Sequence, residues 1–241
     1  MNILSTAVDA VLEVQVDSGK PLAIVLAGHN GSGKSTMWYD YLAPALHIPL
    51  INADRMMLSI LPEPKPKLPA WAQELRDTNR QWMGVARESV DSFVLNAMRA
   101  RVPFAYETVF SHWVEHPDGS VESKIDRIRE LQAAGYFVLL FFVGLANVGL
   151  SIGRVQTRYA GGGHDVPIDR LVERFPKTQR AISHAIRVAD ASILVDNSAD
   201  EKKAFTVAHV RQSGELLFDV RASGAPPRRI VEWLEKVAPE P

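Results

Sequence analysis

The chain has 241 residues, 46% of them hydrophobic and 23% charged, the balance of one ordinary soluble domain long enough to bury a core. A formal net charge of -1 excludes a general field that gathers nucleic acid or anionic membrane, so a polyanion would need a local cluster, and a small phosphorylated ligand suits the balance better. The absence of cysteine excludes disulfides, thiolate nucleophiles and cysteine zinc sites.

Ile3, Leu4, Ala7, Val8, Val11 and Leu12 share one helical stripe, which predicts an amphipathic helix over 3–14. No Lys or Arg precedes Lys20, and Asp9 and Glu13 interrupt the apolar positions, so this stretch does not read as a secretory signal. PLAIVLAG (21–28) reads as a first strand, KSTMWYDYLA as a helix, and HIPLINAD (47–54) as a second strand. LPEPKPKLP (61–69) predicts an irregular extended loop, because proline removes backbone donors and fixes its own backbone angle. Residues 70–100 contain no proline and predict one or two helices, with Trp71, Leu75, Trp82, Phe93 and Met98 as buried-face candidates.

VPFAYETVF (102–110) reads as a third strand, SKIDRIRELQAAG as a helix closed by Gly135, and YFVLLFFVGL as a fourth, wholly apolar strand. That run is too short to span a bilayer, so the expectation is a cytoplasmic protein without a membrane partner. A helix through GLSIGRVQTRY leads into AGGGHDVP and then a basic helix, IDRLVERFPKTQRAISHAIRVA. ASILVDNS (191–198) supplies a fifth strand, AFTVAHVRQSGELLFDV a hairpin turning at Ser213 and Gly214, and PRRIVEWLEKV a closing amphipathic helix. Strands alternating with helices, several apolar throughout, predict an α/β fold: a parallel sheet of the P-loop NTPase type, covered by helices on both faces, with a C-terminal hairpin and helix appended.

Gly28, Gly33, Lys34 and Ser35 satisfy GxxxxGK[ST] in LAGHNGSGKST, between an apolar strand and the start of a helix. Glycines let the backbone of Gly28, His29, Asn30, Gly31, Ser32 and Gly33 curl so that several N–H groups converge, and the helix N-terminus adds partial positive charge. Lys34 would reach the terminal phosphates, and the Ser35 hydroxyl, with Thr36 beside it, would complete the coordination of Mg²⁺. The absence of an NKxD guanine signature favours ATP.

Ligands of an open parallel sheet collect at the carboxyl ends of its strands, where Asn52 and Asp54, Glu107 and Thr108, and Asp196 and Asn197 fall. Asp54 is the candidate general base; serving Mg²⁺ or capping the next helix are its alternatives. Glu107 would hold the acceptor substrate or a metal-bound water, its bland reading being a hydrogen-bonded strand-end residue. Arg154 and Arg158 stand four apart on one helical face and run into Gly161, Gly162, Gly163 and His164, the pattern of a lid that brings cations to a transferring phosphoryl group. Arg170, Arg174, Lys177 and Arg180 follow, as further cationic residues or as a solvated face.

GHNGSGKST, INAD, FAYETVFSH, GYFVLLFFVGL, RVQTRYAGGGHDVP and VDNS, in that order, resemble the zeta-toxin-like P-loop kinases, including the branch described as predicted ABC-type ATPases. The resemblance covers about residues 20–200 and implies one kinase domain over 1–241: a core over 20–200, a helical substrate-side insertion over 61–100, a lid over 154–167 and the C-terminal hairpin and helix over 202–241. It implies that Asp54 activates a substrate hydroxyl, that arginines near the lid assist transfer and that Glu107 lies near the acceptor, and it leaves an antitoxin protein open as a partner. In toxin members the acceptor is the sugar hydroxyl of UDP-N-acetylglucosamine. This chain departs from them at YETVF, where toxins place a glycine between the acid and the threonine, and at His164, near an expected arginine. The leading expectation is a kinase that phosphorylates a small-molecule hydroxyl, with Lys34, Asp54, Arg154 and Arg158 catalytic and Glu107, Thr108 and His164 at the acceptor. The alternative is an ATP-binding switch or interaction protein without a small-molecule acceptor; the near-neutral charge disfavours a polynucleotide kinase.

Overall fold

A computed structural model describes residues 3–63, 68–163, 165–199 and 204–240; His164 and part of the proline-rich loop (64–67) lie outside the described residues. The central strand β1 (Leu22–Gly28) lies between β3 (Phe104–Thr108) and β6 (Phe137–Gly144), parallel to both. Beyond β3 comes the short β2 (Leu50–Ile51), and beyond β6 the parallel β7 (Ala191–Asp196). The antiparallel hairpin β8 (Thr206–Gln212) and β9 (Glu215–Asp219) completes a seven-stranded sheet, turning at Ser213 and Gly214, both with positive φ.

Helices cover both faces, which is why β1 and β6 are apolar at nearly every position instead of alternating. Ala23, Val25, Ala27, Val138, Leu140 and Phe142 face one layer, built from α7 (Ile125–Ala133), α9 (Ile168–Ala185) and α10 (Arg228–Val237). Leu22, Ile24, Leu26, Leu139, Phe141 and Val143 face the other, where α1 (Ile3–Asp17) buries Leu4, Val8 and Val11. Met37, Trp38 and Leu42 join that second layer from the helical stretch after the loop, which runs as α2 (Lys34–Met37), a π turn (Trp38–Leu42) and α3 (Ala43–Leu46).

The structure departs from the sequence expectation in three places. The second strand is only Leu50–Ile51, because the Asn52 side chain accepts a hydrogen bond from the Arg55 amide and caps α4 (Ala53–Ser59). Asp54 therefore stands in the first turn of a helix, and the cap is its neighbour. Residues 70–100 form α5 (Ala70–Asp77) and α6 (Arg80–Ala100), but Trp71 and Phe93 are 60% and 58% exposed. Inward-facing positions are Ala72, a stripe of Ala86, Val90, Val94 and Ala97, and, as expected, Met98, which packs against the core. Finally, β4 (Trp113–Glu115) and β5 (Val121–Ser123) form a separate two-stranded hairpin that the sequence reading did not anticipate.

Parallel register brings the carboxyl ends of four strands to one edge. Ala27 pairs with Thr108, Gly28 with Val143, and Gly144 with Asp196. Among the described residues no helix is long and apolar enough to cross a membrane.

Candidate functional site

The loop after β1 is held in shape by side chains from distant elements. A Cβ on Gly28 would fall 2.6 Å from both the Ser32 hydroxyl and the Val143 carbonyl, so only glycine fits there. Gly31 and Gly33 have φ of +71° and +92°, a region that favours glycine. Buried Asn197, just past β7, donates from Nδ2 to the Ser32 carbonyl at 2.8 Å. Ser151, on α8 (Val148–Ala160), donates to the Asn30 carbonyl at 2.7 Å. In a planar trans peptide the C=O and the following N–H point oppositely, so these contacts turn the Gly33 and Gly31 amides away from Asn197 and Ser151. Together with the helix start at Lys34, this geometry suits an anion cradle of main-chain donors.

Lys34 is buried, and its Nζ donates to the Gly28 and His29 carbonyls at 3.0 Å each, with Glu107 Oε1 at 3.7 Å. Burial pulls its pKa below the ordinary lysine value; Glu107 and Asp54 oppose that shift, and Arg158 adds to it. Glu107 is the hub: its Oε2 accepts from Asn52 Nδ2 at 2.6 Å and from Ser35 Oγ at 3.3 Å. Asn52 thus joins α4 to β3 and leaves exposed Asp54 near enough for its charge to act on Lys34. Ser35 and Thr36 are exposed on the first turn of α2. The Thr108 hydroxyl accepts from the Phe110 amide at 3.2 Å, holding the turn where Phe110 has a positive φ.

His29 is 2% exposed and stacks on Phe175 of α9, ring centroids 3.9 Å apart, with Phe142 edge-on at 5.7 Å. Burial, assisted by Lys34, lowers its pKa to about 3, so the imidazole is neutral and the loop's positive character comes from amides and Lys34. On α8, Arg154 packs beside the loop, its Cβ being 3.1 Å from where a Gly31 side chain would begin. Its charge acts on Asp196, whose carboxyl burial holds above the usual carboxylate range. The α8 carboxyl end turns through glycine, with the Gly163 amide donating to the Arg158 carbonyl at 2.9 Å. Arg76 of α5 donates to the Gly162 carbonyl at 2.8 Å, tying the 61–100 segment to this turn.

The structure therefore gathers the loop, Lys34, Ser35, Asp54, Glu107 and the α8 arginines at one sheet edge. Sequence reading missed the supports: Ser151, Phe175 and Arg76 escaped notice, and Asn52 and Asn197 were noted only as strand-end residues.

Among the described residues no group of three His, Asp or Glu side chains could hold a metal alone. Mg²⁺ rarely needs such a cage; one hydroxyl or carboxylate plus phosphate oxygens and waters suffices, which the Ser35–Glu107 pair fits. The loop fits an anion on independent grounds, since a Cβ at Gly28 would fill its curl and Ser32 Oγ is buried without a partner among the described residues.

A family model described as Zeta toxin matches residues 7–211. An uncharacterized protein of Haemophilus influenzae is 26% identical over 153 residues, 64% of this chain and 91% of that protein. Among solved structures, the AvrRxo1-ORF1:AvrRxo1-ORF2 complex with ATP is similar with a TM-score of 0.62 at 14% identity, over 99% of this chain and 71% of that one. The PezAT chromosomal toxin-antitoxin system of Streptococcus pneumoniae is similar with a TM-score of 0.54 at 14% identity, over 92% and 80%. At such identities the likeness concerns the fold.

Proposed function

The chain belongs to the zeta toxin family, and from that premise we propose that it is an ATP-dependent kinase transferring the γ-phosphate to a hydroxyl of a small molecule. The observation that carries this reading is the Glu107 hub, which ties Ser35 and Asn52 together beside Lys34, with exposed Asp54 on the adjoining helix turn. ATP as donor is supported by the loop geometry and by the ATP in the similar AvrRxo1 complex.

Residues 28–36 would hold the phosphates and Ser35 the magnesium ion; bound together, these supply an activated phosphoryl group. The remaining work falls to this chain's side chains. Asp54, exposed and free of the hub, takes the proton of the acceptor hydroxyl. Glu107 cannot serve as easily, because Asn52 and Ser35 already donate to one of its oxygens and Lys34 lies beside the other. Its role is to orient Ser35 and, with Thr108, to shape the acceptor side. Lys34 exchanges the two loop carbonyls for phosphate oxygens, and Arg154 and Arg158 stabilise charge spreading over the transferring group. The segment 154–167, with His164, acts as a lid that excludes water.

The acceptor we propose is a UDP-N-acetylsugar or another nucleotide-linked metabolite, and an antitoxin protein is the proposed partner, as in the PezAT system. Mass spectrometry of a metabolite extract incubated with protein, ATP and Mg²⁺ tests the activity: a new phosphorylated metabolite is expected. Release of free phosphate alone would instead favour an ATP-driven switch.

A further inference from the structure

Outside the loop, a cavity of about 460 Å³ opens between the end of α5, the start of α6 and α9. Asp77, Thr78, Asn79, Met83, Arg87, Arg170 and Arg174 line it. Three guanidinium groups around one cavity repel one another and stay charged at any physiological pH. Burial, then the facing Arg170 and Arg87, disfavour the charged form of Arg174, opposed more weakly by Glu173, which is itself paired with Lys177. The lining carboxylate does not answer this charge, because Asp77 is held by Arg76 outside the cavity, through Nε at 2.7 Å and Nη2 at 2.9 Å. Among the described residues none of Arg87, Arg170 and Arg174 is held in an ion pair.

The polar lining adds directional groups. Asn79 Oδ1 accepts from the Trp82 amide, so the group it offers a ligand is its NH₂. Thr78 donates its hydroxyl to the Glu74 carbonyl, leaving the oxygen as an acceptor. Met83 supplies an apolar patch. The volume falls within the range of small-molecule sites and exceeds what one phosphate fills.

The cavity's lining residues stand next in the chain to residues that touch the loop and the α8 turn. Arg174 immediately precedes Phe175, which stacks on His29, and Arg76, adjacent to Asp77, holds the Gly162 carbonyl. On the reading that the protein is a kinase, we infer that Arg87, Arg170 and Arg174 form a second anion site, which holds a phosphate or diphosphate group already carried by the accepting molecule. These arginines then select among acceptors by their charge, while Asp54 and the loop act on a hydroxyl elsewhere on the same molecule.

Calorimetry on full-length protein separates this site from the loop. With the loop saturated by a non-hydrolysable ATP analogue and Mg²⁺, and blanks matched for magnesium, wild type is expected to take up pyrophosphate. The Arg170→Gln/Arg174→Gln variant, confirmed folded by circular dichroism, should bind it at least about tenfold more weakly, as loss of charge-assisted hydrogen bonds implies. Uptake of the analogue itself should be unchanged. Failure of loaded wild type to bind pyrophosphate, equal binding by the double variant, or weakened uptake of the analogue in that variant would each overturn the second site. If the analogue does not bind wild type, the kinase reading fails separately. Pyrophosphate titration of Lys34→Ala protein, with and without the two arginine substitutions, then decides the cavity by the same criterion.

Discussion

Replacing His29 with phenylalanine should flatten the acid side of the stability profile. The imidazole is buried, stacked on Phe175, and its Nε2 has no partner among the described residues, so the folded protein resists protonating it. Its pKa falls from the model-peptide value of 6.5 to about 3, while the unfolded chain keeps the ordinary value. Below that ordinary value the unfolded state binds more protons, and stability drops as pH falls, until protonation of the folded form ends the trend. From neutrality down to about pH 5 the loss from this one group amounts to about 2 kcal/mol. Phenylalanine keeps the ring contacts with Phe175 and Phe142 and removes the titration. His209, lowered to about 4 by burial, contributes in the same direction in both proteins and cancels in the comparison. Urea unfolding near pH 7, 6 and 5 reads the difference directly. Parallel stability profiles for wild type and variant would refute the account of a neutral, desolvated histidine in the loop.

Asn197→Ala leaves the Ser32 carbonyl without its side-chain donor and should destabilise the fold by about 1–3 kcal/mol while weakening ATP uptake, measured by thermal melting and calorimetry. Gly144→Ala would put a Cβ 2.0 Å from the Trp233 ring in the core, so the protein should not accumulate folded; a normal melting curve would contradict this. Glu107→Gln keeps the shape of the hub but removes its charge, and phosphotransfer should fall by about 100-fold or more with little change in melting temperature.

What was legible in the sequence follows from how far apart the interacting residues lie. The parallel strands were visible because burial on both faces writes an uninterrupted apolar run, as in FVLLFFVG. The loop was visible because Gly28 and Gly33 answer local demands, close approach and a positive φ, that only glycine meets. Boundaries were less so: Asn52 and Asp54 both looked like strand-end residues, and only the hydrogen bond from the Arg55 amide shows that the helix starts there. The hairpin β4–β5 was passed over because it is mostly exposed and carries no apolar run, although Asp118 and Gly119 mark its turn. Trp71 and Phe93 misled because a large apolar side chain on a helix need not face the core, and here Ala72, Ala86 and Val94 are the buried positions. The contacts that stiffen the site, Ser151 to Asn30, Asn197 to Ser32, Phe175 to His29 and Arg76 to Gly162, join residues far apart in the chain and leave no spacing to read.

Measuring acceptor phosphorylation and ATP affinity together in Asp54→Asn protein tests the proposed chemistry most directly. Asparagine keeps the size of the side chain but cannot take a proton, so transfer should fall by about 100-fold or more while ATP binds as in wild type. Transfer at a near wild-type rate would contradict the assignment of the base and, with it, the division of labour between Asp54 and Glu107.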